Sequence, residues 1–466
     1  MTTETLVKNF SSQGERQRVS RRRDSWLRIK RWSMGGIHWK NFVVLVLVPL
    51  SGLLVWAYRR PELLTNTMYF TCWCYAGTTV AINIIYHRYW SHQSIEFTND
   101  AIVHILAIVS SGGGVTHALN WCSAHRAHHR YCDKVDFDPH SIRRGWFFSH
   151  IGWMILVHNQ RASKVIQESK LDQLKNERIV YWQAKNYTAL FALIGLVLPT
   201  LICGILWDDY YGGFVYAGIV KTILVQHSIF CVNSIGHTWG NRLYNDETSA
   251  RDNILLSLIT WGEGNQNFHH EFPMDYRNGV KWYSYDPTKW AIWILYALGQ
   301  IEVKKCTSQA NIDKCIVQQQ QKILDSKRSQ LNWGISIERL PVFSHDQFMD
   351  LAKSTKDRYL VVISGIIHDV TPFAKDHPGG IPLMQASHGK DATAAFEGAV
   401  YAHSNAARNL LATMRIGALG GSESIYWKQQ RKENKLKPLD SDSEGKRIVR
   451  SQATKANTHA GTAGAA

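Results

Sequence analysis

Four stretches of the sequence are nearly free of charge and long enough to cross a bilayer, and they limit the folds open to this chain more than any other feature. They are residues 41–58 (NFVVLVLVPLSGLLVWAY), 67–86 (TMYFTCWCYAGTTVAINIIY), 187–207 (YTALFALIGLVLPTLICGILW) and 212–235 (GGFVYAGIVKTILVQHSIFCVNSI). A helix of about 20 apolar residues spans the ~30 Å hydrocarbon layer, and within lipid only a helix or a closed barrel satisfies its own backbone. The windows pair as two hairpins, because the turns at 59–66 and 208–211 are too short to hold a domain. Residues 1–40, 87–186 and everything after about 236 then share one face. The expected architecture is an all-α membrane protein with four transmembrane helices and a helical cap on one side. Two further apolar runs, 101–118 and 288–299, are shorter or broken by glycine and read as interfacial or packed helices.

Charge orients this arrangement. Arg16, Arg18, Arg21, Arg22, Arg23, Arg28, Lys30, Arg31 and Lys40 precede the first window, and an excess of Lys and Arg marks the cytosolic side. Arg59 and Arg60 in the first turn oppose this but are outnumbered. Both termini are therefore expected in the cytosol, and no cleavable signal peptide is expected, since the first apolar run begins some 40 residues in. The net charge of +16 would suit nucleic acid, but the basic residues are spread along the chain and flank the apolar windows. Anionic lipid or an acidic head group is the better partner, and none is expected in nucleic acid. The eight cysteines (72, 74, 122, 132, 203, 231, 306 and 315) form no CxxC pair and no framework spacing, as in a reduced, cytosol-facing protein.

Histidines gather where the apolar windows end. HRYWSH carries His87 and His92, HRAHHR carries His125, His128 and His129 at i, i+3 and i+4, and NSIGH carries Asn233 and His237. A helix projects the second set from one face. GNQNFHHEFP adds His269 and His270. One such histidine would be an ordinary packing residue, but eight on one side of a membrane are costly to bury unless cations use their lone pairs. Metal binding follows. A donor count near eight suggests a dinuclear centre with open positions, which favours iron and oxygen chemistry over a closed zinc site.

These boxes, with DFDPHSIRRGWFFSHIGW (136–153) and GEGNQNFHHEFPMDYRNGVKWYSYDPTKW (262–290), resemble the acyl-CoA Δ9-desaturases of the fungal stearoyl-CoA type from about residue 36 to about 300. The resemblance implies two non-haem irons that use O2 to remove two hydrogens from a fatty acyl-CoA in the endoplasmic reticulum membrane. It also implies His87, His92, His125, His128, His129, His237, His269 and His270 as iron ligands, with Asn233 acting through water. Gln266 departs from the pattern, since the family usually has histidine there, as does Asn265, which stands where an aromatic is expected. A glutamine amide is a poorer iron ligand than imidazole, so a weakened or retuned site is expected. QxxHH also resembles the third box of front-end and sphingolipid desaturases. Arg143, Arg144 and Arg161 are candidates to meet the coenzyme A phosphates.

The composition changes after residue 300. Residues 301–334, which include QQQQ (318–321), read as a helical linker, 335–420 as a small α+β domain, and 421–466 as a disordered tail. FAKDHPGGIP sets His377 before Gly379 and Gly380, and His403 follows in GAVYAHSNAA. Two such histidines can clamp a haem iron from opposite faces, with His388 the competing second ligand. HPGG, GKDAT and the later HS resemble cytochrome b5, which implies haem b held by His377 and His403 and reduction by NADH-cytochrome b5 reductase. Each desaturation needs two electrons beyond those of the substrate, and a tethered haem domain delivers them at high effective concentration. The expected activity is Δ9 desaturation of stearoyl-CoA and palmitoyl-CoA to oleoyl-CoA and palmitoleoyl-CoA, for unsaturated fatty acid biosynthesis. The alternatives are another membrane di-iron lipid desaturase or hydroxylase, or a chain weakened at the di-iron site that keeps its haem.

Overall fold

The computed structural model describes residues 36–169, 174 and 177–420. The basic residues Arg16 to Arg31 and the tail 421–466 lie outside the described residues. The chain divides into two compact units, Met1–Leu324 and Asp325–Ala466.

The first unit is helical. Among the described residues three helices are long and apolar enough to cross a membrane by length and composition: α1 (Trp39–Arg59), α5 (Arg178–Trp207) and α6 (Tyr210–His237). They contain the first, third and fourth apolar windows. The second window folds as α2 (Thr65–Ile82), which runs on as a π-helical stretch, Asn83–Ser91. It falls outside the group of three because threonines dilute its apolarity, and the fold turns those threonines inward. Thr67, Thr71, Thr78 and Thr79 are buried, and Thr71 and Thr79 donate to the carbonyls of Thr67 and Tyr75 one turn back.

Close approach of helices depends on small residues. Gly52 of α1 packs on α6 so tightly that a Cβ would lie 2.5 Å from Ile219 Cγ2. The α5–α6 turn uses Asp208 in the left-handed region (φ 57°). Asp209 Oδ1 accepts from Gly212 N (2.8 Å), and its Oδ2 accepts from Thr67 Oγ1 (2.6 Å), which ties this turn to α2.

The run 101–118 yields α3 (Asp100–Ser111), capped by Asn99, whose Oδ1 accepts from Ala101 N at 2.9 Å. Gly112 to Gly114 then end it, and α4 (Ala118–Tyr131) carries the HRAHHR box. α2, α3, α4 and α6 bury one apolar core that includes Ile82, Ile85, Tyr86, Val103, Cys122, Val225 and Ile229. Downstream come α7 (Ile254–Thr260), α8 (Gln266–Glu271) and α9 (Pro287–Ala297). The start of the expected linker is not a linker: β2 (Ile301–Lys304) pairs antiparallel with β1 (Ile95–Phe97), because alternate residues of IEVK pack back on this unit, with Ile301 buried. The polar run that follows is helix α10 (Gln309–Ser329). All eight cysteines are free thiols.

The second unit is built on a four-stranded sheet in the order β3-β6-β5-β4, from β3 (Val342–Phe343), β4 (Leu360–Ile363), β5 (Ile366–Asp369) and β6 (Arg415–Leu419). β4 and β5 form a hairpin turned by Ser364 and Gly365, both with positive φ. Phe348, Leu360, Val362 and Ile367 form its core.

Candidate metal centre

Of the first-box histidines His87 lies within the π-helical stretch that continues α2 and His92 caps its end, three lie on α4, two on α8, and His237 ends α6. The fold brings all eight together. The ligating nitrogens of His87, His92, His125 and His269 lie within 4.8 Å of one another. His129 joins them, since its Nε2 lies 3.0 Å from His269 Nε2, which is also 3.0 Å from His87 Nε2. His92 Nε2 and His125 Nε2 are 2.8 Å apart. A second group sits beside the first: His128 and His270 face each other through Nε2 at 3.3 Å, and the His237 ring lies 5.0 Å from His128 and 4.9 Å from His270.

The outer edges of these rings are held by polar residues that spacing in the sequence did not reveal. Asp138 Oδ1 accepts from His128 Nδ1 at 2.9 Å. Ser249 Oγ lies 2.8 Å from His237 Nδ1 and donates its only proton to Asp133 Oδ1 at 2.7 Å. Ser249 therefore accepts from His237 Nδ1, which leaves His237 Nε2 as a bare lone pair. That atom is buried, in a residue 4% exposed, and has no partner among the described residues. Glu263 Oε2 approaches His87 Nδ1 at 3.2 Å, outside hydrogen-bond alignment. Arg88 anchors Glu263 through Nε and Nη2 (3.1 and 2.8 Å) and reaches Asp286 Oδ1 at 2.9 Å.

Burial, and then the proximity of the other imidazoles, holds His92, His125, His129, His269 and His270 well below the usual histidine range. They are neutral at physiological pH, the form that binds metal. Eight imidazoles gathered around two points, one with an unsatisfied buried lone pair, cost free energy unless cations occupy those points. The residues fit metal ions.

Asn233 lies on α6, and its carbonyl accepts from Ser149 Oγ (2.7 Å). With His87, Trp121, Ala124, His125, His140, Trp153, Ile229 and Val232 it lines a cavity against the first histidine group. Its lining combines apolar side chains with imidazoles. Gln266 is buried, and its amide nitrogen donates to Glu263 O at 2.9 Å. Asn265 starts α8 and donates through Nδ2 to Asn278 O at 3.3 Å. Of the candidate arginines, Arg161 pairs with Asp136 at 3.2 Å at the surface, and Arg144 stacks on Phe148.

In the second unit the His377 and His403 rings face each other with centroids 6.2 Å apart and planes at 29°. One metal atom with bonds of ~2 Å to each ring fits that gap. His403 Nδ1 meets Phe396 O at 3.0 Å, which leaves Nε2 available. His388 is committed elsewhere, with Nδ1 accepting from Leu360 N (3.0 Å) and Nε2 facing Ala352 O (3.1 Å). The HPGG glycines serve the backbone first. Gly380 has φ +67°, and a Cβ at Gly379 would press on Leu383 at 2.5 Å and on the His377 ring at 3.2 Å.

Comparison with known proteins matches the two parts of the chain to two families. Residues 64–300 match the fatty acid desaturase family, and residues 344–420 match the cytochrome b5-like haem/steroid-binding domain. The chain is 39% identical over 415 residues to a probable acyl-CoA desaturase of Schizosaccharomyces pombe, covering 89% of this chain and 84% of that one. It is 38% identical over 397 residues to acyl-CoA desaturase 1 of Saccharomyces cerevisiae, covering 84% and 76%. It is 30% identical over 278 residues to human stearoyl-CoA desaturase 5, covering 59% and 83%.

Proposed function

Because this chain belongs to the acyl-CoA desaturase family and carries a fused cytochrome b5 domain, we propose that it desaturates saturated fatty acyl-CoA at the Δ9 position, converting stearoyl-CoA and palmitoyl-CoA to oleoyl-CoA and palmitoleoyl-CoA. The observation that carries this reading is the convergence of imidazoles from four distant stretches on two adjacent points, beside a cavity with an apolar wall. The proposed ligands are His87, His92, His125, His129 and His269 at the first position and His128, His237 and His270 at the second, with Asn233 acting through water. Bound there, two non-haem irons would supply with O2 an oxidant strong enough to break unactivated C–H bonds.

The protein's own residues do the rest. Asp138 and the Ser249–Asp133 pair present His128 and His237 in the tautomer with Nε2 free. Trp121, Trp153, Ile229 and Val232 give an acyl chain an apolar surface along the imidazoles and keep water away. His377 and His403 are the proposed haem b ligands, receiving electrons from NADH-cytochrome b5 reductase. In the membrane reading α2 is a fourth span, its threonines satisfied within the helix and by Asp209. The placement is the endoplasmic reticulum, with both termini and the metal centre on the cytosolic face.

Expression in a host lacking its own Δ9-desaturase tests the reading: oleate and palmitoleate should be restored, and a double bond at another position, or a hydroxylated product, would refute it. His403→Ala should remove the low-spin haem spectrum and with it NADH-driven desaturation, whereas His388→Ala should keep the spectrum. Gln266→His should preserve or raise turnover, because imidazole is the better iron ligand. Loss of turnover there would show that glutamine itself is required.

A further inference from the structure

We propose that Cys132 is a ligand of the second metal position, completing with His128, His237 and His270 a set of three imidazoles and one thiolate. The inference rests on the di-iron reading above and names a donor that spacing alone did not suggest. Its first support is geometric: the ligating atoms of His128, Cys132, His237 and His270 all lie within 4.8 Å of one another. Cys132 follows His128 by one helical turn, so the end of α4 sets both on the same face.

The thiol is held there by the contacts that orient its neighbours. The chain leaves the helix at Cys132 (φ −45°, ψ 130°), and Asp133 turns into the left-handed region (φ 66°), a conformation Asp tolerates better than most residues. Asp133 then accepts from Ser249 N (2.6 Å) and from the Ser249 hydroxyl that holds His237. Asp133 N donates to Asp138 Oδ2 at 2.9 Å, and Asp138 holds His128. One small polar network therefore positions the turn bearing Cys132 and two of the three imidazoles.

The second support is independent of the cysteine. His237 Nε2 is a buried lone pair without a partner, and His237 belongs to this group, not to the first. The third concerns Gln266, which is buried three residues before His269. Its amide nitrogen is spent on Glu263 O, and its stem lies where a Cβ at Gly236 would meet Gln266 Cγ at 2.8 Å. The second position thus has three imidazoles where the first has five. His140 is not among the four residues of this group: its ligating atom groups with those of His128 and Asp138, and its Nδ1 lies 4.0 Å from Asp138 Oδ1. Thiolate is a strong donor to transition metals. On binding, the metal–sulfur bond replaces the S–H bond, and the proton leaves to solvent. If Cys132 only filled space, its removal would leave the metal count unchanged.

The test uses the full haem-containing chain. Non-haem iron is total iron less the haem iron measured as pyridine haemochrome. The wild type should hold two per chain, and Cys132→Ser and Cys132→Ala one, with haem unaltered. Cobalt(II) replacing the non-haem iron should give a thiolate-to-metal charge-transfer band in the wild type that both variants lack. Iodoacetamide should label Cys132 after chelation but not in the metal-loaded protein. Two irons in the variants, or a wild-type cobalt spectrum without that band, overturns the proposal and leaves the di-iron reading standing. A wild type without non-haem iron overturns both. Should the variants fail to fold, the wild-type cobalt band and alkylation protection decide alone.

Discussion

His269→Ala should abolish desaturation and strip non-haem iron while the haem stays in place. The His269 ring is the hub of the first group: its Nε2 lies 3.0 Å from the Nε2 atoms of both His87 and His129, and its ring is 4.6 Å from that of His92. Its loss removes one of five imidazoles and leaves a void among the other four. Partners one shell out, such as Asp138, are worth ~10–100-fold when mutated. A donor at the hub should cost more than ~100-fold, and since an unactivated C–H bond has no alternative oxidant here, product should fall to background. Fatty-acid analysis of the host, non-haem iron per haem and an unchanged Soret band together check this. Asp138→Asn should give the milder defect, and equal defects in the two variants would contradict the assignment of His269 to the inner set.

Arg88→Ala should be among the most destabilising single substitutions in the chain. Arg88 is 3% exposed and serves Glu263, Asp286 and the Tyr276 carbonyl, the last at 2.7 Å through Nη1. Truncation leaves two buried carboxylates without their cation, and breaking a buried pair in this way costs about 3–5 kcal/mol. The loss should appear as a large drop in the thermal midpoint of the detergent-solubilised protein. Acid sensitivity should change with it. Burial alone would raise the Glu263 carboxyl, but Arg88 and His87 outweigh burial and hold it at about 2. A carboxyl with a depressed folded-state value contributes stability above its ordinary value, 4.5, and loses it as pH falls toward about 2. In the wild type this decline therefore spans about 4.5 to 2, and in Arg88→Ala it should shrink, because without the guanidinium burial lifts the folded-state carboxyl back up and its protonation no longer costs stability. An unchanged acid transition would show that Arg88 does not govern Glu263.

The sequence by itself determined what depends on near neighbours along the chain. Apolar windows, the i, i+3, i+4 placement of His125, His128 and His129, the HPGG turn and the change of composition after residue 300 are local patterns, and helix geometry and hydropathy act locally. Family membership was legible for the same reason. Tertiary structure decided what depends on packing between segments. It sorted the eight histidines into two groups, turned the threonines of α2 inward, used residues 301–304 as a strand and spent both nitrogens of His388 on backbone. It also brought Asp138, Ser249 with Asp133, and Glu263 with Arg88 to the outer edges of the imidazoles. Cys132 sat in view beside the second box, yet only the approach of α6 and α8 set its sulfur among three imidazoles. A ligand set is a coincidence of side chains in space, and the chain order of its members is set by which helices pack together.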